Sequence, residues 1–199
     1  MFYSLRGILS HIDTNFVVIE CSGVGYRVFV TQSTIKSLPQ LGEQVFLYTY
    51  MNVRENSLEL FGFEKKNEYF CFKLLISVSG VGPKLGLGIV SELGARPVAI
   101  AVAKGDSKTL TKASGVGAKL AGRIILELKD KLSDNKAATQ YELEKTGTLS
   151  DASNASLAVN ALAVLGFSTS EAVTAVAKFD SSLPTEELIR LALKVISSG

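Results

Sequence analysis

Apolar residues follow two different rhythms along this chain, and the change falls near Phe63. Before it, short β-branched and aromatic runs are broken by Gly, Asn and Pro, the mark of strands separated by turns. The runs are Phe16 to Cys21, Tyr26 to Val30, Val45 to Tyr50 and Ser57 to Phe63. Val17, Ile19 and Cys21 alternate with Phe16, Val18 and Glu20, so the first set lies on one face of a strand. Gly23 and Gly25 predict a tight turn before the next strand. Five or so strands in about sixty residues suit a small closed barrel of the OB type, because closure leaves no unpaired edge.

Beyond Glu64 the period is helical. Glu68 to Val78 predicts a helix that stops at Ser79 and Gly80. Pro83 then fits the first position of the next helix, where its missing N–H costs nothing, and Pro97 reads as opening another in the same way. After Gly117, the residues Leu120, Ile124 and Leu128 form one apolar stripe, with Lys119, Arg123 and Glu127 on another face. From about Ser133 to Asn154 large apolar groups are scarce, which predicts a linker. A helical tail follows: Ala155 to Leu165 with Gly166 as C-cap, Ser170 capping Glu171 to Phe179, and Thr185 capping Glu186 to Ile196. Three short helices have little core of their own and point to a docking role.

With 199 residues, 47% of them hydrophobic, the chain can build real cores, and disorder throughout is excluded. Cys21, Cys71 and the single histidine, His11, cannot form a four-ligand zinc site, so no metal or other cofactor is expected. Both cysteines fall in apolar runs and are expected to be buried packing groups. Their scarcity suits a reducing compartment, and Met1 to Ile12 lacks a basic start followed by a long apolar run. The expectation is a soluble, cytoplasmic protein. Net charge is only +2, but residues 64–135 carry 12 Lys/Arg against 7 Asp/Glu, between two mildly acidic flanks.

Inside that basic block Ser79-Gly80-Val81-Gly82-Pro83-Lys84 recurs as Ser114-Gly115-Val116-Gly117-Ala118-Lys119, thirty-five residues on, as an internal duplication would leave it. Each copy ends one helix and starts another. Its free backbone N–H groups, the positive end of the second helix and the lysine then suit a phosphate oxygen. No base edge is addressed, so binding should ignore sequence. A plain turn between packed helices is the competing reading of either copy taken alone.

A nucleotide site is excluded. Gly80-x-Gly82-x-x-x-Gly86 misses the dinucleotide fingerprint by one residue and follows a helix where that motif must follow a strand, and no Gly-x-x-x-x-Gly-Lys-Ser/Thr occurs. With one histidine, read as a surface residue on an N-terminal strand or turn, there is no credible nucleophilic relay.

The order of parts resembles the RuvA family of Holliday junction proteins. The two Ser-Gly-Val-Gly repeats carry the resemblance, with Leu5-Arg6-Gly7-Ile8, Gly23-Val24-Gly25-Tyr26, Val53-Arg54-Glu55, Leu60-Phe61-Gly62-Phe63 and Leu165-Gly166-Phe167. It implies a multi-domain α+β chain. An OB-like barrel would span residues 1–63, an all-α tandem helix-hairpin-helix domain 64–135, a flexible linker 136–154 and a three-helix motor-binding domain 155–199. It further implies a homotetrameric plate, closed on DNA by a second plate to an octamer, that holds a four-way junction open. A RuvB-type hexameric AAA+ ATPase would be recruited for branch migration in recombination and DNA repair, with a junction resolvase as a further partner.

By the same resemblance, DNA-binding roles pass to Gly80, Gly82 and Lys84 in the first motif and to Gly115, Gly117, Lys119 and Arg123 in the second. Ala118 stands where relatives often carry a basic residue, which implies a weaker grip there. An acidic pin maps to Glu55 and Asn56; relatives usually show two acids, and the neutral Asn56 halves the charge, while a simple hairpin turn explains the pair equally well. Motor contact maps to Leu162, Leu165 and Phe167, for each of which core packing is the alternative. The chain itself would be a non-catalytic subunit of an ATP-driven helicase complex. Two other classes stay open: a helix-hairpin-helix glycosylase or nuclease, for which Asp134 has no evident partner, and a duplex-binding adaptor with no junction preference.

Overall fold

The computed structural model describes residues 2–129, 154–164, 167 and 169–198. They divide into two compact units, Met1–Ala95 with Ala113–Gly115, and Arg96–Lys112 with Val116–Gly199.

In the first unit, strands β1 (Ser4–Ile12), β2 (Phe16–Cys21), β3 (Val24–Val30), β4 (Gln44–Arg54) and β5 (Ser57–Phe63) close into a barrel in the order β1-β2-β3-β5-β4. The β3–β5 pair is parallel and the other pairs are antiparallel. Alternation places Leu5, Leu9, Val17, Ile19, Val28, Val30, Val45, Leu47 and Leu60 inside, as period-two patterning requires. The structure thus has the OB-type closed barrel that the strand pattern predicts. No apolar run announced β1, because its inward positions are Leu5, Gly7 and Leu9. A side chain at Gly7 would collide with the Glu20 carbonyl, so a glycine is needed for β1 and β2 to pair.

The turn after β2 differs from expectation. It consists of Ser22 and Gly23, both at positive φ (51° and 83°), as a tight two-residue hairpin demands, whereas Gly25 lies within β3 opposite Glu20. Cys21 also differs: at the end of β2 it is half-buried, its Sγ 3.3 Å from the Arg6 carbonyl oxygen. Cys71 is buried, and burial pushes its thiol up to about 12, which makes it inert. His11 is exposed on β1 beside Phe16.

A short helix that the sequence did not announce, α1 (Gln32–Ser37), leaves the barrel; its cap Thr31 accepts a hydrogen bond from the Thr34 N–H. Thr31 and Ser33 both donate to the buried Glu68 carboxylate, at 3.1 and 2.9 Å, joining α1 to α2 (Lys66–Ile76). Rings of α2 then seat on the barrel: Phe72 lies 4.9 Å from Phe63 and 5.6 Å from Phe61, centre to centre. This aromatic seat is why α2 and the following α3 (Pro83–Leu93) group with the barrel.

The second unit takes α4 (Ala95–Lys104) from Arg96 onward, with α5 (Ser107–Leu110) and α6, helical over 118–129. Pro97 sits in the first turn of α4, not at its first position. The helix begins directly after Gly94, and a proline is tolerated wherever no intrahelical N–H bond is due. In α6, Ile124 and Leu128 are buried and Leu120 is half-buried, as the stripe predicts.

The tail forms three helices, α7 (Asn154–Val164), α8 (Thr169–Val176) and α9 (Thr185–Ser198). Ala158, Leu162, Phe167, Ala172, Val176, Leu188, Ala192 and Leu193 form its core, joined by Ala99 of α4. Two expected caps are not caps. Ser170 lies inside α8, and Thr185 is the first residue of α9, its hydroxyl 3.4 Å from Asn154 Oδ1, while the Pro184 carbonyl accepts the Leu188 N–H. Asn154 opens α7 rather than ending the linker. The rest of the expected linker, Asp134, Leu165 and the expected C-cap Gly166 lie outside the described residues. Among the described residues no single helix is long and apolar enough to cross a membrane.

Candidate nucleic-acid interface

Each repeat folds as a hairpin between two helices, with the same sequence of conformations. In the first, Val78 and Val81 are buried while Ser79, Gly80 and Gly82 are exposed; in the second, Ala113 and Val116 are buried while Ser114, Gly115 and Gly117 are exposed. The first glycine of each takes a left-handed conformation, φ 91° at Gly80 and 81° at Gly115, which side chains rarely adopt. The second glycine caps the next helix. Gly82 accepts from the Gly86 N–H at 2.8 Å and Gly117 from the Ala121 N–H at 2.9 Å.

Gly82 has ordinary extended backbone, φ −81° and ψ 167°, and a Cβ added at Gly82 or Gly117 would meet nothing within 4 Å. Nothing inside the protein therefore requires glycine there. A surface that must admit a partner's backbone to hydrogen-bond distance does require it. The orphan N–H groups of the first helical turn and the helix dipole supply a partial positive charge at that point. Gly82 has no side-chain cap that would occupy those donors. Lys84 and Lys119 stand at the second position of their helices and both are exposed, as is Arg123 one turn further along α6.

Supporting contacts were not legible in the repeat itself. Glu92 of α3 accepts from both the backbone N–H and the hydroxyl of Ser114, at 3.0 and 3.2 Å, which ties down the entrance to the second hairpin. Leu85 would lie 3.1 Å from a Cβ on Gly115. Lys84 pairs with Glu59 of β5 at 3.0 Å, and this bond, with a weaker one from Asn52, holds the Glu59 carboxyl below the usual range against desolvation. Only the fold brings these groups together: two helices, α4 and α5, separate Glu92 from Ser114 in sequence, and α2 separates Glu59 from Lys84.

Glu55 and Asn56 form the two-residue tip of the β4–β5 hairpin, after the Arg54–Ser57 pair, and both are exposed. The next facing pair, Val53 and Leu58, is 63% exposed at each residue, an apolar collar below the tip. In the tail, Leu162 and Phe167 are buried in the bundle core, and among the described residues there Val173 of α8 is the exposed large apolar side chain. Among the described residues, no group of three His, Cys, Asp or Glu could hold a metal ion.

Comparison with known proteins gives consistent matches along the chain. A model of the RuvA N-terminal domain matches residues 1–62, one of the SAM-like helix-hairpin-helix tandem matches 72–130, and one of the RuvA C-terminal domain matches 158–197. A protein of Acetivibrio thermocellus is 43% identical over 98% of each chain. One of Desulforamulus reducens is 42% identical over 99% of this chain and 98% of its own, and one of Clostridium perfringens strain SM101 is 39% identical over 98% and 99%. All three are named Holliday junction branch migration complex subunit RuvA.

Proposed function

This chain belongs to the RuvA family, and from that premise we propose that it binds four-way junction DNA by structure and not by sequence, and serves a branch migration complex. The observation that carries the proposal is the pair of like hairpins, each with an exposed glycine N-cap that no internal contact explains. Backbone donors at Gly82 and Gly117, with Lys84, Lys119 and Arg123, hold phosphates; Gly80 and Gly115 give the turns their shape. No donor reads a base edge.

The chain acts as a non-catalytic subunit in the cytoplasm. Four copies assemble into a plate, and a second plate closes over the junction. The carboxylate of Glu55, beside Asn56, repels phosphates where strands exchange. The tail recruits a RuvB-type hexameric ATPase, which carries the ATP hydrolysis, and a junction resolvase acts on the same complex. With Leu162 and Phe167 in the tail's interior, those two shape the docking surface from beneath, and the exposed Val173 is the apolar group a motor subunit would meet. Residues 136–153 tether the tail while the plate stays on DNA.

The mass of the complex formed with a synthetic four-way junction tests this reading; four or eight chains per junction are expected. Eight phosphate anchors from one tetramer give a slope of log affinity against log salt near −7. A slope near −2, equal affinity for linear duplex, or strand cleavage on incubation would sink it.

A further inference from the structure

Lys84, the cation that the first hairpin offers to DNA, is already paired in the free protein. Its Nζ lies 3.0 Å from Glu59 Oε1 and 5.9 Å from the centre of the Phe29 ring on β3. The other carboxylate oxygen of Glu59 accepts from Asn52 Nδ2 at 3.4 Å, across the β4–β5 ladder. Glu59 is thus held from two sides and its side chain is 18% exposed, whereas that of Lys84 is 75% exposed. The anion is fixed and the cation is loose, so the pair opens from the lysine side. Lys119, the matching residue of the second hairpin, has no ion pair among the described residues.

We propose that Glu59 is an internal stand-in for a DNA phosphate, occupying Lys84 until the first hairpin engages and taking it back when DNA leaves. The proposal rests on the reading of the hairpins as phosphate anchors. A carboxylate and a phosphate oxygen compete for the same ammonium donors, so DNA captured at this hairpin replaces a contact that the protein already has. The net gain from Lys84 is therefore smaller than that from Lys119. Release is correspondingly easier, because the lysine is not left without a partner. A DNA arm drawn past the first hairpin meets an exchange of partners at each step, while the second hairpin supplies the firmer hold.

Four proteins test this: wild type, Glu59→Gln, Lys84→Gln and the double variant, each confirmed as folded by its melting curve. Binding to a synthetic four-way junction is measured at low and at high salt. Glu59→Gln keeps the shape and the Asn52 contact but frees Lys84. It is expected to tighten binding by roughly two- to five-fold per engaged chain at low salt, less as salt screens the pair. In the Lys84→Gln background the same change is expected to do nothing, which separates a specific pair from a general loss of negative charge.

An independent measurement needs no DNA. The Glu59 carboxyl, followed by carbon NMR, should titrate higher in Lys84→Gln than in wild type. An unchanged titration, no gain from Glu59→Gln, or an equal gain without Lys84 overturns the proposal. Wild-type protein that binds no DNA would overturn it through its premise, and the titration would then show that the pair exists while the anchor reading fails.

Discussion

The two hairpins share a backbone and differ in almost everything around it. Pro83 of the first is matched by Ala118 of the second, Gly86 by Ala121, Gly88 by Arg123, and the paired Lys84 by Lys119. What the two copies share is the exposed Gly-Val-Gly turn and its buried valine, Val81 or Val116. What has changed answers to local surroundings. At Gly86 a Cβ would come within 2.8 Å of Ile76 and 3.4 Å of Phe72, the ring that seats α2 on the barrel. In the second copy those two positions are Thr111 and Ser107, and Ala121 fits, fully buried. The first hairpin is fitted to the barrel, and the second carries more donors for a partner.

The most severe way to break the comparison is to fill both open caps. Gly82→Val with Gly117→Val should leave the fold intact, since a Cβ at either position meets nothing within 4 Å, at the cost of a few degrees in melting temperature because valine is a poorer N-cap than glycine. Junction affinity should fall by about 100-fold or more, because several charge-assisted donors are blocked at once. Of the single variants, Gly117→Val should cost more. Retained affinity in a folded double variant would remove the basis of the proposed function.

Stability separates the hairpins in the opposite sense. Gly86→Ala should be net destabilising, about 1–3 kcal/mol of overpacking against Ile76 and Phe72 being offset by up to about 1 kcal/mol of helix propensity, while Ala121→Gly should cost about 1–2 kcal/mol from helix propensity and a lost buried methyl. Gly80→Ala and Gly115→Ala should each cost about 1–2 kcal/mol, because both positions have positive φ. Chemical denaturation of each variant reads these directly; an innocuous Gly86→Ala would show that the barrel does not constrain the first hairpin.

This contrast also shows what the chain revealed before it was folded. The barrel was legible because Val17, Ile19, Val45 and Leu47 obey a period of two, and the hairpins because a hexapeptide repeats. β1 was legible only as an N-terminal strand or turn around His11, since Gly7 occupies an inward position and interrupts the apolar signal; α1 was not, because Thr31 and Ser33 find their partner only in Glu68, more than thirty residues on. Glu59 and Glu92 were invisible as parts of the site, because each acts on a residue more than twenty positions away. Caps in the tail were misplaced by one or two positions: Ser170 and Thr185 have the right chemistry for an N-cap, but each lies within the first turn of its helix.

Charge gives a finer probe. A Cβ on Gly88 would meet nothing within 4 Å, and it matches Arg123 in register, so Gly88→Arg gives the first hairpin the cation it lacks. Affinity should rise about three- to ten-fold, with the salt slope steeper by about one unit per engaged chain; Arg123→Ala should shift both the other way. Both shifts should be the same for any base sequence. A gain restricted to some sequences would mean that these residues read bases.

The smallest expected difference lies at the first helical position. Ala118 has an N–H where Pro83 has none, so the second hairpin presents one more backbone donor. Ala118→Pro should fold normally, because proline suits that position, and removing a single exposed donor should weaken junction binding by about two- to three-fold. Pro83→Ala adds the donor to the first hairpin, but it also frees the unfolded chain, which costs up to about 1 kcal/mol of stability. Its affinity gain should therefore appear in binding measured well below the melting temperature, and should vanish when Gly82 is filled. If both exchanges leave affinity unchanged, the phosphate is held by the later amides and the lysine, and the proline in the first copy serves only the start of α3.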